Sequence, residues 1–128
     1  IEQAKWRKTA SQSKWWCLTT LGTHCIDIVR WYLVPLCGEV VKIALVTSNL
    51  KFSSNDETVI LSMQFESGAT ANITCSILCD SPFHFEIYTS KGLIKGEDLT
   101  GDSDKRSINF FGQNIPFKCD NDLYQDEL

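Results

Sequence analysis

One histidine and one aspartate in a helical pattern are the residues of this chain best suited, by type and spacing, to acid–base chemistry. His24 and Asp27 are three residues apart, which places them near each other on a helix. Thr23 is a candidate N-cap and Gly22 a candidate turn residue before it, so His24 is expected in the first helical turn. Backbone N–H groups and the positive end of the helix dipole favour a neutral imidazole there, which suits proton transfer.

The helix that must carry these residues is predicted by apolar residues that recur at helical spacing. It covers roughly residues 23–33 and ends before Pro35, because proline cannot continue a helix. We interpret Asp27 as a structural residue that bonds to the backbone, to Arg30 or to Arg7, with Arg30 as its simplest partner on the helix surface. The apolar positions are Leu21, Cys25, Ile28, Val29 and Tyr32.

The rest of the chain is patterned for β-strands that turn residues separate. A helix followed by hairpin-linked strands predicts an α+β fold, with a large, mainly antiparallel sheet that has helix cover on one face. His84 falls on the polar side of its strand, where we expect it to be solvated or to make a contact on the sheet face. Strands are predicted at residues 40–52, 58–65, 69–78, 83–88, 93–95, 107–111 and 115–117.

Length and charge limit the classes of protein that this chain can represent. Its 128 residues predict one domain. Residues 1–14 are polar and basic, and we interpret them as a linker or as the remnant of a cut from a longer chain, followed by a single domain at 15–128. The net charge of −4 and the lack of a basic cluster argue against nucleic-acid binding. The longest apolar run is too short to cross a membrane.

Metal binding is not indicated by the cysteines, histidines or acidic residues. The six Cys include no C-x-x-C motif and only two His are present, so we expect reduced thiols, buried in a cytoplasmic protein, rather than a zinc site. Cys75 and Cys79 are expected on one face of a strand. The acidic residues Asp98, Asp102 and Asp104 lack the spacing of a Ca²⁺ loop, and we interpret them as a solvated loop.

The segment around His24 also resembles a family signature. The run G-T-H-C-I-D at residues 22–27, followed by Arg30 and Trp31, resembles a segment of the Gfo/Idh/MocA family of NAD(P)-dependent sugar and inositol oxidoreductases. The likeness extends over roughly residues 14–96. Its further elements are Glu39-Val40, Asp56-Glu57, the hairpin at residues 65–69 and the turn at residues 90–92.

The resemblance implies that the chain is the C-terminal domain of such an enzyme. His24 would face the nicotinamide and a small-molecule substrate, such as a sugar or polyol. NAD or NADP would bind to an N-terminal Rossmann domain, because this chain has no G-x-G-x-x-G turn. The fragment itself would therefore hold no cofactor and be inactive alone. Family members also pair sheet against sheet, which implies a homodimer.

The sequence departs from the family pattern at the residues next to His24. Thr20 stands four residues before His24, where dehydrogenase members have an Asp, and a Thr hydroxyl cannot replace a carboxylate as a general base. Trp15 and Trp16 replace a Gly pair and are expected either to pack beside the helix or to stack on substrate. The alternative interpretation is a non-catalytic ligand-binding or interaction protein with the same fold.

Overall fold

The computed structural model describes residues 6, 11–12, 14–51, 54–80, 83–98 and 106–116. The chain forms two compact units, Ile1–Asp80 and Ser81–Leu128. Every strand pair in the described residues is antiparallel, and the first unit adds a helix to its sheet. The α+β fold class is therefore confirmed, with the strands divided between a three-stranded and a four-stranded sheet.

The helix starts earlier than the sequence predicted. A π-helical stretch at Leu18–Gly22, here called the π turn, leads directly into α1 at Thr23–Cys37. Cys17 already has helical backbone angles (φ −63°, ψ −46°), and Gly22 is helical as well. The expected turn at Gly22 and N-cap at Thr23 are therefore wrong, and His24 lies within a continuous helix rather than in its first turn.

The helix also ends later than predicted, since α1 continues through Pro35 to Cys37. Proline lacks an N–H and crowds the carbonyl of the residue four positions earlier, Trp31, so one helical hydrogen bond is lost. Because Pro35 is only two residues from the end of α1, the loss of this one hydrogen bond leaves the rest of the helix intact. Gly38 then ends the helix with a positive φ of 78°, and its N–H donates to the Val34 carbonyl at 3.0 Å.

The first sheet has the order β1-β2-β3, formed by Val40–Ser48, Thr58–Phe65 and Thr70–Ser76. The strict alternation of β2 places four apolar side chains on the face that packs against α1. These are Val59, Leu61, Met63 and Phe65, all buried. Apolar residues of α1 lie against this cluster, so the predicted helix cover on one sheet face is present. They are Cys25, Ile26, Val29, Leu33, Val34 and Cys37.

The edge strand β1 differs from β2 because the core does not extend across it. Leu45 lies opposite Leu61 in the register, yet Ile43, its neighbour on the same face, is 63% exposed. The strands predicted at residues 40–52 and 69–78 end earlier, at Ser48 and Ser76, because the pairing with β2 stops at these residues.

The second unit contains a four-stranded sheet of order β4-β5-β6-β7. Its strands are His84–Thr89, Gly92–Glu97, Ser107–Phe110 and Gln113–Asn114. The prediction of a final strand at residues 115–117 is wrong over its described part. Phe111 and Gly112 both have positive φ and make the turn, so the strand returns at Gln113 rather than Ile115.

Candidate functional site

His24 lies on the solvent side of α1, and its side chain is exposed. Thr20 lies in the π turn and is half-buried. No hydrogen bond joins Thr20 to His24, and the structure describes both residues. The imidazole is therefore free to reach a molecule bound outside this chain, and Thr20 does not orient it directly.

The start of the helix is held by a carboxylate from another part of the chain. Asp56, which is 5% exposed, accepts hydrogen bonds from the backbone N–H groups of Trp16 and of Leu18, the latter at 2.7 Å. Its carbonyl also accepts from the Cys17 N–H at 3.2 Å. A carboxylate is favourable there because the first N–H groups of a helix lack partners and carry positive partial charge. Asp56 therefore fixes the segment that leads to His24.

The residue after Asp56 is hydrogen-bonded to the end of β1 and to the residue that follows β3. Glu57 is fully buried, and its carboxylate accepts a hydrogen bond from the Lys51 N–H at 2.7 Å. Its own N–H donates to the Ser48 carbonyl, and its carbonyl accepts from the Ile77 N–H at 2.9 Å. These hydrogen bonds hold Glu57, and with it the neighbouring Asp56, in place.

Sequence reasoning missed this supporting role. The sequence places Asp56, together with Glu57, in the family resemblance and does not link it to the helix. The signal available was an acidic residue two positions before a buried strand, together with a helix start that has no local cap. Trp16 and Cys17 offer no side-chain acceptor to their own helix, so the acceptor has to come from elsewhere in the fold.

The two tryptophans occupy different environments. Trp16 is 8% exposed, and its indole is part of the packed interior. Trp15 is 39% exposed, and its carbonyl accepts a hydrogen bond from the Thr19 hydroxyl at 2.7 Å. Of this pair, Trp15 is the one whose ring offers surface for stacking.

Three thiols gather beneath the π turn. Cys17 and Cys75 are buried, their sulfur atoms are 3.6 Å apart, and Cys25 is half-buried nearby. Burial raises the pKa of the Cys17 thiol from 9.0 to about 12. Burial is also the main cause that raises the pKa values of Cys25 and Cys75. Glycine suits position 22 beside these thiols, because the Cβ of any other residue would lie 2.8 Å from the Leu18 side chain and would force it to shift.

The other cysteine expectations have mixed outcomes. All five described cysteines are free. Cys79 is exposed and lies beyond the end of β3, so the expectation that it shares a strand face with Cys75 is wrong. Cys119 lies outside the described residues, as do Asp102 and Asp104 of the acidic loop.

The expected pairing of Asp27 with Arg30 is also wrong. The Arg30 guanidinium instead lies 3.4 Å from the carboxylate of Glu39, the residue before β1. Arg7, the other partner suggested for Asp27, lies outside the described residues. The chain turns after α1 and brings Glu39 close to the helix. Arg30 pairs with Glu39 rather than with Asp27, its neighbour at i,i+3 spacing. An open groove of about 620 Å³ runs along this side of α1, lined by Asp27, Arg30, Trp31, Val34 and Pro35.

A family model, the GFO/IDH/MocA C-terminal domain, matches residues 2–95. The chain belongs to this family. The matched region includes the π turn, α1 with His24, the first sheet and Asp56. No curated protein sequence matches the chain.

A solved structure with low sequence identity has a similar fold. It is a Desulfitobacterium hafniense protein described as an NADPH-dependent oxidoreductase, with a TM-score of 0.69 and 19% sequence identity. The match covers 90% of this chain and 36% of that one, so the chain spans about a third of the length of that protein. Within the described residues, no helix combines the length and apolar composition that a membrane crossing requires.

Proposed function

We propose that this chain is the substrate-side domain of an NAD(P)-dependent oxidoreductase that acts on a hydroxyl group of a sugar, polyol or similar small molecule. The observation that carries the proposal is the family match, which includes the segment bearing His24. The chain has no glycine-rich phosphate-binding turn, so its residues do not fit NAD or NADP. The cofactor, which accepts or supplies hydride when bound, would be held by an N-terminal Rossmann domain of the parent protein.

His24 is the residue that we propose for proton transfer. A substrate hydroxyl must lose a proton as its carbon loses hydride, and an imidazole can accept that proton near neutral pH. The side chain is exposed on a helix whose start is fixed by the buried Asp56. Trp15, which is partly exposed in the residues leading to that helix, is proposed to contact the substrate, and Trp16 to support it from the interior.

One observation favours a second candidate function. Thr20 has no carboxylate to help His24, and no hydrogen bond joins the two residues, so the acid–base pair of the dehydrogenase members is incomplete. A ligand-binding or interaction protein with the same fold would tolerate this change. Activity of the parent protein therefore decides between the two functions.

The decisive experiment measures cofactor reduction by the full-length parent across a panel of sugars and polyols. We expect His24→Ala and His24→Asn to lower kcat/KM by about 100-fold or more, because removing a general acid or base has that effect. His84→Ala is the matched control, because His84 is exposed on β4 of the second sheet. Near-normal turnover by the His24 variants would exclude His24 from the mechanism.

Thr20→Asp provides a second probe of the same site. A rise in activity would identify a weakened dehydrogenase, because the substitution restores the carboxylate. Absence of any turnover in the wild-type parent and in Thr20→Asp, with ligand binding retained, would favour the non-catalytic function.

The isolated chain is expected to bind neither NADH nor NADPH. Calorimetric titration of the 128-residue chain with each nucleotide tests this, with the full-length parent as the positive control. Micromolar binding to the isolated chain would contradict the assignment of the cofactor site to the missing half.

We also propose that the parent forms a homodimer through the open face of the first sheet. Ile60 is 46% exposed on that face and lies opposite Thr74 in the register, and Ser62 donates to the Asn72 side chain at 2.8 Å. A surface of mixed apolar and hydrogen-bonding residues is typical of dimer interfaces, and a two-fold pairing is the commonest closed solution. Sedimentation equilibrium of the parent should show a dimer, and the Thr74→Arg variant should be a monomer. A strictly monomeric protein at high micromolar concentration would refute the interface.

The place of action that we propose is the cytoplasm. The support is the free state of all five described cysteines, since thiols persist in reducing compartments. Recovery of the parent with the soluble cytoplasmic fraction, with its thiols fully alkylatable after denaturation, is the expected result. Recovery in an oxidising compartment would contradict it.

A further inference from the structure

The buried sulfur atoms of Cys17 and Cys75 are in direct contact although the two residues are 58 positions apart in sequence. Cys17 lies where the helical backbone begins and Cys75 lies in β3. Their separation of 3.6 Å exceeds a disulfide bond of about 2.05 Å by about 1.5 Å, so the two sulfur atoms must approach each other by that distance for a bond to form. The proposed function uses neither thiol.

We propose that Cys17 and Cys75 are an oxidation site, and that hydrogen peroxide converts them into a disulfide that ties the start of the helix to β3. One sulfur first attacks the peroxide O–O bond, becomes a sulfenic acid and releases one water. The other sulfur then attacks it, so that the S–S bond forms, the S–O bond breaks and a second water leaves. Two thiol hydrogens and two electrons pass to one peroxide molecule, which balances the reaction.

The hydrogen bond between the thiols orders these steps. Cys17 donates to the Cys75 sulfur, and this bond lowers the pKa of Cys75 relative to burial alone while it raises that of Cys17. Cys75 also retains slight exposure, whereas Cys17 has none. Cys75 is therefore the sulfur that reacts with peroxide, and Cys17 is the one that resolves the sulfenic acid.

The surroundings make the reaction slow. Burial keeps both thiols protonated at neutral pH, and the thiolate is the reactive form. The ionisable groups that face the pair are Asp56 and Cys25, and the nearby Asp56 carboxylate raises both pKa values further. We expect oxidation over hours rather than seconds, and a disulfide that reductants reach equally slowly.

Peroxide treatment of the 128-residue chain tests the proposal. The protein carries Cys79→Ser and Cys119→Ser, which remove an exposed thiol and one outside the described residues. After quenching, denaturation and alkylation, mass spectrometry should show two fewer alkylated cysteines. Proteolysis should yield a peptide pair that joins residues 17 and 75 and separates on reduction.

Matched variants decide which sulfurs react. Cys17→Ser and Cys75→Ser should each abolish the linked product, and Cys25→Ser should leave it unchanged. With Cys17→Ser, the sulfenic acid on Cys75 should persist and react with dimedone. Two results in the chain that carries only Cys79→Ser and Cys119→Ser would overturn the proposal, even if a further variant failed to fold. One is a link from Cys25 to Cys75, and the other is oxidation of Cys75 to sulfinic acid without any link.

Discussion

Raising the pH should destabilise the chain through the buried Cys17 thiol. The folded state holds its pKa at about 12, against 9.0 for the ordinary thiol, because burial disfavours the thiolate. Above pH 9 the unfolded chain releases this proton and the folded chain keeps it, so the free energy of unfolding falls as pH rises. The stabilisation is complete below pH 9 and is lost progressively up to about pH 12.

The size of the effect follows from the same two values. At about pH 10 an unfolded thiol is mostly ionised and the folded one almost entirely protonated, which corresponds to a loss of roughly 1–2 kcal/mol from Cys17 alone. A loss of this size is a substantial part of the total stability of a small domain. Lysine, tyrosine and the other thiols add their own pH dependence, so the measurement has to be differential.

Urea unfolding under reducing conditions, followed by circular dichroism at pH 7 and pH 10, isolates the contribution of Cys17. We expect wild type to be more stable than Cys17→Ala at pH 7, because the variant leaves a small cavity, and the difference to shrink by roughly 1–2 kcal/mol at pH 10. Cys79→Ala is the matched control, because it removes an exposed thiol instead of the buried one. Parallel pH curves for wild type and Cys17→Ala would refute the reasoning.

Five substitutions, two of them controls, test the supports of the fold by chemical denaturation. Asp56→Ala should cost about 2–4 kcal/mol because it strands two helix N–H groups, whereas exposed Asp27→Ala should cost less than about 0.5 kcal/mol. Gly92→Ala should cost more than Gly68→Ala, because both have positive φ but only at Gly92 would a Cβ clash with an aromatic ring, that of Phe111. Phe65→Ala should cost about 3–5 kcal/mol, because Phe65 is fully buried. Equal losses within either pair, or an unchanged midpoint for Phe65→Ala, would contradict these reasons.

The sequence predicted the elements whose signal is local. The bounds of β2 at Thr58–Phe65 are as predicted, because four buried residues alternate with more exposed ones and a turn cluster precedes them. The α+β class followed from one helical pattern and several strand patterns. The family resemblance, placed on a short motif at residues 22–27 and on the order of the strands, is confirmed by the match over residues 2–95.

The features that were missed depend on contacts distant in sequence. Arg30 pairs with Glu39 because the chain reverses after α1, which an i,i+3 rule does not include. Pro35 remains helical because its missing N–H affects a single bond near the helix end. The turn at Phe111 was missed because a positive φ at a bulky residue is unusual, and its ring packs over Gly92, where no side chain obstructs it.

The position of His24 illustrates why the sequence could suggest a candidate residue but could not predict its surroundings. Local rules place the helix start at Thr23, because a Thr after a Gly is a typical N-terminal pattern. The helix instead begins at Cys17, because Asp56 supplies from the β1–β2 loop the acceptors that residues 16–18 lack. A carboxylate that a local reading assigns to a loop therefore determines where the candidate acid–base residue lies. It follows that a substitution at Asp56 should change the position of His24, although Asp56 bonds to residues 16–18 and not to His24 itself.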